Sequence, residues 1–175
     1  MIRHSEIFNW RPPAVRKEEI INGFTCDNAT RGLIEQLANA WSSGNGREFG
    51  ASFLEDAHFV AFDGTVLEGS EAIGQYHQAA FDRYLRNTRL VLSVDGTRVI
   101  DESVLLVFAS GGIESKLGGT VMLTGDSLQT MAVVLKDGKP RVPAFQNTRR
   151  RPITDENSAS VWKEFESLWN HRHNV

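Results

Sequence analysis

Asp63 is the residue whose type and position most suggest chemistry. It follows the mostly apolar run 57–62 and directly precedes Gly64. A carboxylate held against apolar residues binds its proton more tightly, because desolvation disfavours the charged form, and such a group is a useful general base. The same Asp-Gly pair is also favoured in a two-residue hairpin turn, where both residues take positive φ. The sequence leaves a catalytic and a purely structural interpretation of Asp63 open.

Two histidines and an asparagine are the next candidates. His58 alternates with Phe59 along the predicted strand, so it faces away if Phe59 faces inward. His77 falls on the apolar face of a predicted helix, where it acts on a substrate or serves as a hydrogen-bonded core residue. Asn147, on the last predicted strand, either donates to a substrate oxyanion or ties the strand end to neighbouring backbone. The candidate catalytic residues are therefore Asp63, Asn147 and His77.

Composition excludes several classes of protein. The chain has 175 residues, a net charge of -3 and 41% hydrophobic residues, which predicts one domain with a real core. The acidic balance argues against nonspecific binding of nucleic acid. No apolar run approaches the roughly 18 residues that a membrane span needs, and the first residues lack the apolar segment of a secretory signal. We expect a cytoplasmic protein that binds neither nucleic acid nor membranes.

The spacing of ligand-type residues favours no metal and no cofactor. The five histidines and the single cysteine show no ligand pattern. Cys26 precedes the predicted domain, which disfavours it as a nucleophile. The glycine-rich run Gly111–Gly119 opens no helix and lacks the lysine of a phosphate-binding loop, so it predicts a mobile loop instead.

Hydrophobic periodicity places the candidate residues on helices followed by strands. Helices are predicted over residues 29–42, 47–53 and 70–85. The β-rich segments are 88–94, 97–100, 102–109, 128–136 and 141–148. Asp95-Gly96 and Asp137-Gly138 are predicted as turns between strands. Helices followed by a bent antiparallel sheet define an α+β domain.

The chain divides into three predicted segments. Residues 1–27 form an N-terminal arm, residues 28–150 form the α+β domain, and residues 151–175 form an amphipathic helix. One face of that helix carries an apolar stripe, made of Val161, Trp162, Phe165, Leu168 and Trp169. We expect the stripe to pack on the body of the domain or on the mate in a dimer.

The order of these elements and several motifs carry a family resemblance over about residues 28–150. The motifs are Asp56-Ala57-His58-Phe59-Val60, Gly64 with Gly69, Gly111-Gly112, Gln129-Thr130 and Ala144-Phe145-Gln146-Asn147-Thr148-Arg149. They resemble the SgcJ/EcaC group in the SnoaL-like branch of the nuclear transport factor 2-like superfamily. Relatives usually have an aromatic and an aliphatic residue before the Ala-Phe pair, whereas this chain has Pro140-Arg141-Val142-Pro143. A proline in that strand predicts an edge or a β-bulge.

The resemblance implies a cone-shaped fold, in which helices close against a curved antiparallel sheet and leave an apolar pocket. It implies a homodimer formed through the outer face of the sheet, and it places Asp63 where ketosteroid isomerases carry their general base. Eight further residues are expected to line the pocket: Trp41, Phe59, Ala61, Tyr76, Phe108, Gln129, Met131 and Phe145.

Two functions follow from this interpretation. In the first, the protein is a cofactor-free isomerase, cyclase or dehydratase acting on a polyketide-like molecule or polycyclic ketone. Asp63 removes a proton next to a carbonyl, and Asn147 or Tyr76 steadies the enolate oxygen. In the second, the protein is a non-catalytic binding or association module that acts through its dimer.

Overall fold

The computed structural model describes residues 20–21, 24–115, 127–150 and 153–173. The chain divides into two compact units, one of residues 12–150 and one that contains the C-terminal helix. Most of the predicted arm, and residues 116–119 of the glycine-rich run, lie outside the described residues. The helices are α1 (Cys26–Ser43), α2 (Gly46–Gly50), α3 (Gly69–Arg83) and α4 (Ser158–His173). The strands are β1 (Ile20–Ile21), β2 (Phe24–Thr25), β3 (Phe53–Val60), β4 (Val66–Glu68), β5 (Thr88–Val99), β6 (Val104–Ser115), β7 (Ser127–Lys136) and β8 (Lys139–Arg149).

Strands β3 to β8 form one open sheet in the order β4-β3-β8-β7-β6-β5. The β3–β8 pair is parallel, and the other neighbours are antiparallel. Side chains from α1, α2 and α3 join those of one sheet face in a single core, and we call this the inner face. The α+β architecture expected from the sequence is confirmed.

The parallel pairing of β3 with β8 brings two predicted motifs to one end of the sheet. Val60 pairs with Gln146, so the loop 61–65 leaves β3 beside Asn147. Asn147 in turn pairs with Gln129 on β7. The loop after β3 and the polar residues of β7 and β8 therefore meet at the same end, which we call the open end.

The three Asp-Gly pairs of the chain behave differently from one another. Asp137 and Gly138 have φ of 53° and 69° and make the predicted tight turn between β7 and β8. Gly64 has φ of 87°, but Asp63 is not among the described residues with positive φ. Main-chain hydrogen bonds close the longer loop 61–65 instead, so the two-residue turn predicted there is wrong.

The third Asp-Gly pair, Asp95-Gly96, forms no turn at all. It lies inside β5 at a β-bulge, because β6 pairs with the strand on both sides of it. The glycine-rich run is also more regular than predicted, since β6 continues to Ser115. The predicted turn and the start of the predicted mobile loop are therefore both parts of one long hairpin.

Strand β8 contains a β-bulge at Pro143, one of the two outcomes predicted from a proline in this strand. Val142 and Pro143 together face a single residue of β7, which is a β-bulge. Val142 and Phe145 are consequently both buried, although simple alternation along the strand places them on opposite faces. The bulge is thus what lets both residues reach the core.

Helices α2 and α3 approach each other backbone to backbone through three glycines. A Cβ on Gly74 would lie 2.9 Å from the carbonyl oxygen of Gly46, and a Cβ on Gly46 or Gly50 would meet the main chain of α3. Only glycine permits so close an approach. The contact brings Phe49 of α2 onto His77 of α3, with ring centroids 4.1 Å apart.

Aromatic rings fill the core between the helices and the inner face. Phe59 and Phe145 stack across β3 and β8 with centroids 4.7 Å apart. Trp41 of α1 donates from Nε1 to the Thr88 hydroxyl at 2.9 Å, which ties the helix to β5. The rings in mutual contact are Trp41, Phe49, Phe53, Phe59, His77, Phe81 and Phe145.

Helix α4 belongs to the second unit and carries three exposed aromatic side chains. Trp162, Phe165 and Trp169 are each more than half exposed. Consecutive ring centroids in this row are 6.0 and 6.3 Å apart. The surface that this stripe packs against stays a prediction. Among the described residues, none of the helices combines the length and apolarity that crossing a membrane requires.

Candidate functional site

His77 lies on α3 within a cage of aromatic side chains. Its ring centroid is 4.1 Å from that of Phe49 and 5.4 Å from those of Phe59 and Tyr76. Only 6% of the residue is exposed. The inward position expected for His77 from helical periodicity agrees with the structure.

This environment holds His77 neutral and in a single tautomer. Its Nδ1 lies 2.8 Å from the carbonyl oxygen of Ile73, and a carbonyl only accepts, so Nδ1 carries the proton. Burial lowers the pKa of His77 from 6.5 to about 4, against a smaller opposite effect of the Ile73 hydrogen bond. Nε2 is therefore unprotonated at neutral pH, and no residue in the described part of the chain donates to it.

Gln129 is a buried polar residue on the inner face of the sheet, at 4% exposure. Its Nε2 donates to the Ser127 hydroxyl at 2.6 Å and to Asn147 Oδ1 at 3.3 Å. The Ser127 hydroxyl donates its own proton to the carbonyl of Gly111 at 2.9 Å. Because that proton is committed, the Ser127 oxygen can only accept from Gln129, which sets the orientation of the Gln129 amide.

The Oε1 atom of Gln129 is left without a donor among the described residues and is fully buried. Buried acceptors are nearly always hydrogen-bonded, so an unpaired one calls for an explanation. Gln129 shares the inner face with Met131, two residues along β7. The unpaired oxygen therefore belongs to the side of the sheet on which the resemblance places the pocket.

Asn147 lies opposite Gln129 on β8 and is half-buried. Its Oδ1 accepts from Gln129, so its Nδ2 offers two donors that no other described residue uses. The pair thus presents an unpaired acceptor, Gln129 Oε1, beside unpaired donors. The sequence alternative that Asn147 ties the strand end to neighbouring backbone is not what its Oδ1 does, because its partner is the side chain of Gln129; donation to a substrate stays a prediction.

Asp63 does not occupy the environment expected of a general base. Its side chain is exposed, and Oδ1 accepts from the main-chain nitrogen of Thr65 at 3.0 Å. This hydrogen bond, followed by one with the Thr65 side chain, lowers the pKa of Asp63 below 3.8. The expected rise in pKa by desolvation is therefore wrong for this carboxyl, because the longer loop turns it towards solvent.

The charge of Asp63 affects the pKa of Tyr76. Burial raises the pKa of the Tyr76 hydroxyl above 10, and the negative charge of Asp63 raises it further. A hydrogen bond with the Thr65 side chain acts in the opposite direction. The three residues form a polar group in which the Tyr76 hydroxyl keeps its proton and stays a donor.

Five of the expected lining residues are buried together. Trp41, Phe59, Ala61, Met131 and Phe145 are each 9% exposed or less, and all belong to the core.

Phe108 does not join this set. Its neighbours Val107 and Ala109 are buried, and Val107 pairs with Met131. Because side chains alternate along a strand, Phe108 points to the opposite, outer face of the sheet.

The structure also contains a surface cavity that the sequence did not predict. It measures about 400 Å³, lies at the start of α3, and shares no residue with the predicted site; its lining is Glu55, Glu68, Gly69, Ser70, Glu71, Ala72 and Gln75. His58 points to this side of the sheet, and its Nδ1 lies 2.6 Å from Glu68 Oε1. No group of three or more potential metal ligands occurs within the described residues.

Ser127 is the residue of the site that sequence reasoning missed. It precedes Gln129 by two positions on the same strand, so alternation alone places it on the same face. The predicted strand begins at residue 128, so it leaves out Ser127 by one position. Its importance lies in orienting the Gln129 amide, a role that only the hydrogen-bond geometry reveals.

Helix α3 and the inner face thus contribute an aromatic cage and a small number of polar side chains. These are a neutral imidazole acceptor, an amide pair and a phenol that keeps its proton. Such a combination is typical of sites that bind small organic molecules. The class that fold and site define is an α+β cone with a mostly apolar interior and a polar open end.

Comparison with solved structures identifies the fold. Neither a scan of protein-family models nor a search of curated proteins gives a match. A domain of unknown function with a cystatin-like fold from Nostoc punctiforme is 29% identical, with a TM-score of 0.61 over 82% of this chain and 96% of that one. A candidate scytalone dehydratase from Novosphingobium aromaticivorans is 14% identical, with a TM-score of 0.59 over 71% of this chain and 84% of that one.

A third similar structure is described as an association domain and not as an enzyme. It is a candidate association domain of calcium/calmodulin-dependent protein kinase type II from Thiobacillus denitrificans. It is 9% identical, with a TM-score of 0.60 over 77% of this chain and all of that one. The chain has a cystatin-like fold, and proteins with one fold can carry out different functions.

Proposed function

We propose that the protein binds a small, largely apolar molecule at the open end of its cone. We further propose that it acts as a cofactor-free isomerase, cyclase or dehydratase of the SgcJ/EcaC group that its motifs resemble. The observation that carries this proposal is the state of His77. Its unprotonated Nε2 lies inside an aromatic cage, which suits an apolar ligand and places a proton acceptor beside it.

The proposed chemistry is removal of a proton from a carbon next to a carbonyl group. His77 Nε2 takes the proton, and the carbonyl oxygen gains the negative charge. The Tyr76 hydroxyl or the Asn147 amide donates to that oxygen. His77 then returns the proton to another atom of the same molecule, which gives isomerisation, or to a leaving hydroxyl, which gives dehydration.

Asp63 has an indirect role in this scheme. Its carboxylate is exposed to solvent, so it lacks the apolar surroundings that the sequence suggested for a base. Burial and, to a smaller extent, the charge of Asp63 raise the pKa of the Tyr76 hydroxyl, which is protonated at pH 7 and can donate a hydrogen bond. Asp63 is therefore a positioning residue in this proposal, and His77 replaces it as the base.

A thermal-shift screen of polycyclic ketones, aromatic polyketides and steroids tests the proposal. A ligand that binds the folded state raises the melting temperature by mass action. Hits are then assayed for proton exchange next to the carbonyl, with wild type, His77→Gln and Asp63→Asn. We expect the hits to stabilise wild type and Asp63→Asn, and exchange to be lost in His77→Gln.

His58→Gln is the matched control, because His58 is exposed on the other side of β3. Its exchange rate should equal that of wild type. Exchange that survives in His77→Gln overturns the role of His77, whereas a screen without any hit overturns small-molecule binding.

The second candidate function is an association module that acts as a homodimer. It is favoured by the outer face, where a row across three strands is entirely apolar: Leu106 pairs with Ala132, which pairs with Ala144. Leu128 and Val91, on the same side of the sheet, are 38% and 41% exposed. A sheet with apolar residues on both faces is usually covered on both faces, and a second copy of this chain supplies such a cover.

A further inference from the structure

The hydrogen-bond geometry around Gln129 defines what kind of ligand group fits the open end. Ser127 commits its proton to Gly111, so it accepts from Gln129 Nε2 and holds the amide in one orientation. Gln129 Oε1 consequently faces away from Ser127, buried and without a donor among the described residues. A group that pairs with this oxygen must donate a hydrogen bond.

The neighbouring Asn147 places a complementary requirement on the same ligand group. Its Oδ1 is occupied by Gln129, which leaves the two Nδ2 protons for an acceptor. The unpaired atoms of the two side chains belong to directly paired positions on β7 and β8. Across β7 on the other side, the partner of Gln129 is the buried Ala109, whose methyl group cannot donate to the unpaired oxygen.

We propose that this pair recognises a hydroxyl group on an apolar, ring-containing ligand. The hydroxyl proton is donated to Gln129 Oε1, and the hydroxyl oxygen accepts from Asn147 Nδ2. This inference rests on the proposed binding of a small molecule in the cone, and it names the chemical class of that molecule as a phenol or alcohol.

Other common ligand groups satisfy only half of the pair. A ketone or ether oxygen accepts from Asn147 but leaves Gln129 Oε1 unpaired. A carboxylate or phosphate oxygen likewise only accepts, and its charge is repelled by the Gln129 oxygen. A hydroxyl both donates and accepts at one atom, and leaving a buried acceptor unpaired is what makes sites of this kind reject analogues without the donor.

The experiment compares phenols with their own methyl ethers by isothermal titration calorimetry on the full chain. The probes are phenol and anisole, 2-naphthol and 2-methoxynaphthalene, and 2-hydroxyfluorene and 2-methoxyfluorene. Each ether keeps the rings and the acceptor oxygen but cannot donate. We expect the best-fitting phenol to bind wild type about tenfold more tightly than its ether, the usual effect of one well-placed hydrogen bond.

Two variants test the residues, and one serves as the control. Gln129→Met keeps the length of the side chain without an acceptor, and it should bind a phenol and its ether equally. Ser127→Ala removes the group that orients the amide and should reduce the preference in part. Gln146→Met makes the same exchange on the exposed side of β8 and should keep the wild-type preference.

Failure of this inference is distinguishable from failure of the proposed function. If ketones or steroids bind while phenols bind wild type no better than their ethers, the hydroxyl assignment is overturned and small-molecule binding stands. If no compound of either panel binds, both are overturned. The comparison on wild type decides the matter even if Gln129→Met does not fold.

Discussion

The imidazole of His77 and the main-chain carbonyl of Ile73 are hydrogen-bonded across one turn of α3, Nδ1 to oxygen, at 2.8 Å. This hydrogen bond fixes the tautomer with the proton on Nδ1. Burial in the aromatic cage lowers the pKa of the ring, so Nε2 stays unprotonated at neutral pH. Periodicity alone did not decide whether His77 is a core residue or a site residue. The structure shows that its imidazole is neutral and protonated on Nδ1. The stability of the fold should report that state directly.

Stability should fall as the pH is lowered from 7 to 4. The pKa of His77 is about 4 in the folded protein against 6.5 for an ordinary histidine, so the unfolded chain binds its proton first. The stabilising contribution is complete above pH 6.5 and is lost as the pH falls towards 4, by about 3 kcal/mol in all. Urea unfolding at several pH values measures it. His77→Phe should lose this part of the pH dependence, and profiles parallel to wild type would contradict the assignment.

Two glycine-to-alanine exchanges should change the free energy of unfolding in opposite directions. Gly74→Ala places a methyl group against the backbone of α2, and we expect a loss of about 1–3 kcal/mol through overpacking. Gly32→Ala is the control, since its Cβ meets no atom within 4 Å and α1 gains about 0.5–1 kcal/mol from the better helix former. Chemical denaturation gives both values. If both exchanges changed the free energy of unfolding in the same direction, α2 and α3 would not pack as described.

The charge of Asp63 should be visible in the titration of Tyr76. Tyr84→Phe leaves Tyr76 as the only tyrosine of the two in the chain, so absorbance at alkaline pH follows a single phenol. Its pKa should lie above 10, and Asp63→Asn in the same background should lower it, because a repelling negative charge is removed. Asp56→Asn is the control for removing a charge elsewhere. An unchanged titration in Asp63→Asn would separate the two residues.

The outer face should hold two copies of the chain together. Wild type should sediment near twice 19.5 kDa at micromolar concentration. Ala132→Glu introduces a charge into the middle of the apolar row and should give a folded monomer, since an uncompensated charge is costly to bury. Ala79→Glu makes the same exchange at an exposed position of α3 and should remain dimeric. A wild-type monomer, or a dimer unaffected by Ala132→Glu, would contradict this interface.

Much of the fold was predictable, because periodicity reports which residues are buried. The three N-terminal helices and the inward position of His77 followed from it, as did the bulge at Pro143 from the missing donor of proline. The Asp-Gly pairs were less informative: the local preference for a turn was overridden in β5, where β6 pairs across the bulge. Turn chemistry is a local signal, and long-range strand pairing decides whether it is used.

The chemistry of the site was harder to predict, since it depends on single atoms. Asp63 has the right residue type at the right place in the chain, but the loop 61–65 is longer than the predicted two-residue turn, and the carboxylate is exposed to solvent. Gln129 was recognised only as a lining residue. Its unpaired oxygen follows from a proton on Ser127 that is donated to Gly111, and no pattern of residue types contains that information.

The central claim is that a small molecule binds within the inner face, and the methyl group of Met131 tests it most directly. Met131 is fully buried beside Phe145 and shares its face with Gln129, and the chain has only three methionines. In ¹³C-methyl-methionine NMR, a bound aromatic ligand should shift the Met131 resonance, saturating with the affinity found by calorimetry. Met131→Leu assigns the resonance. A ligand that stabilises the protein but leaves the Met131 methyl unmoved would bind elsewhere, and that result would contradict the account.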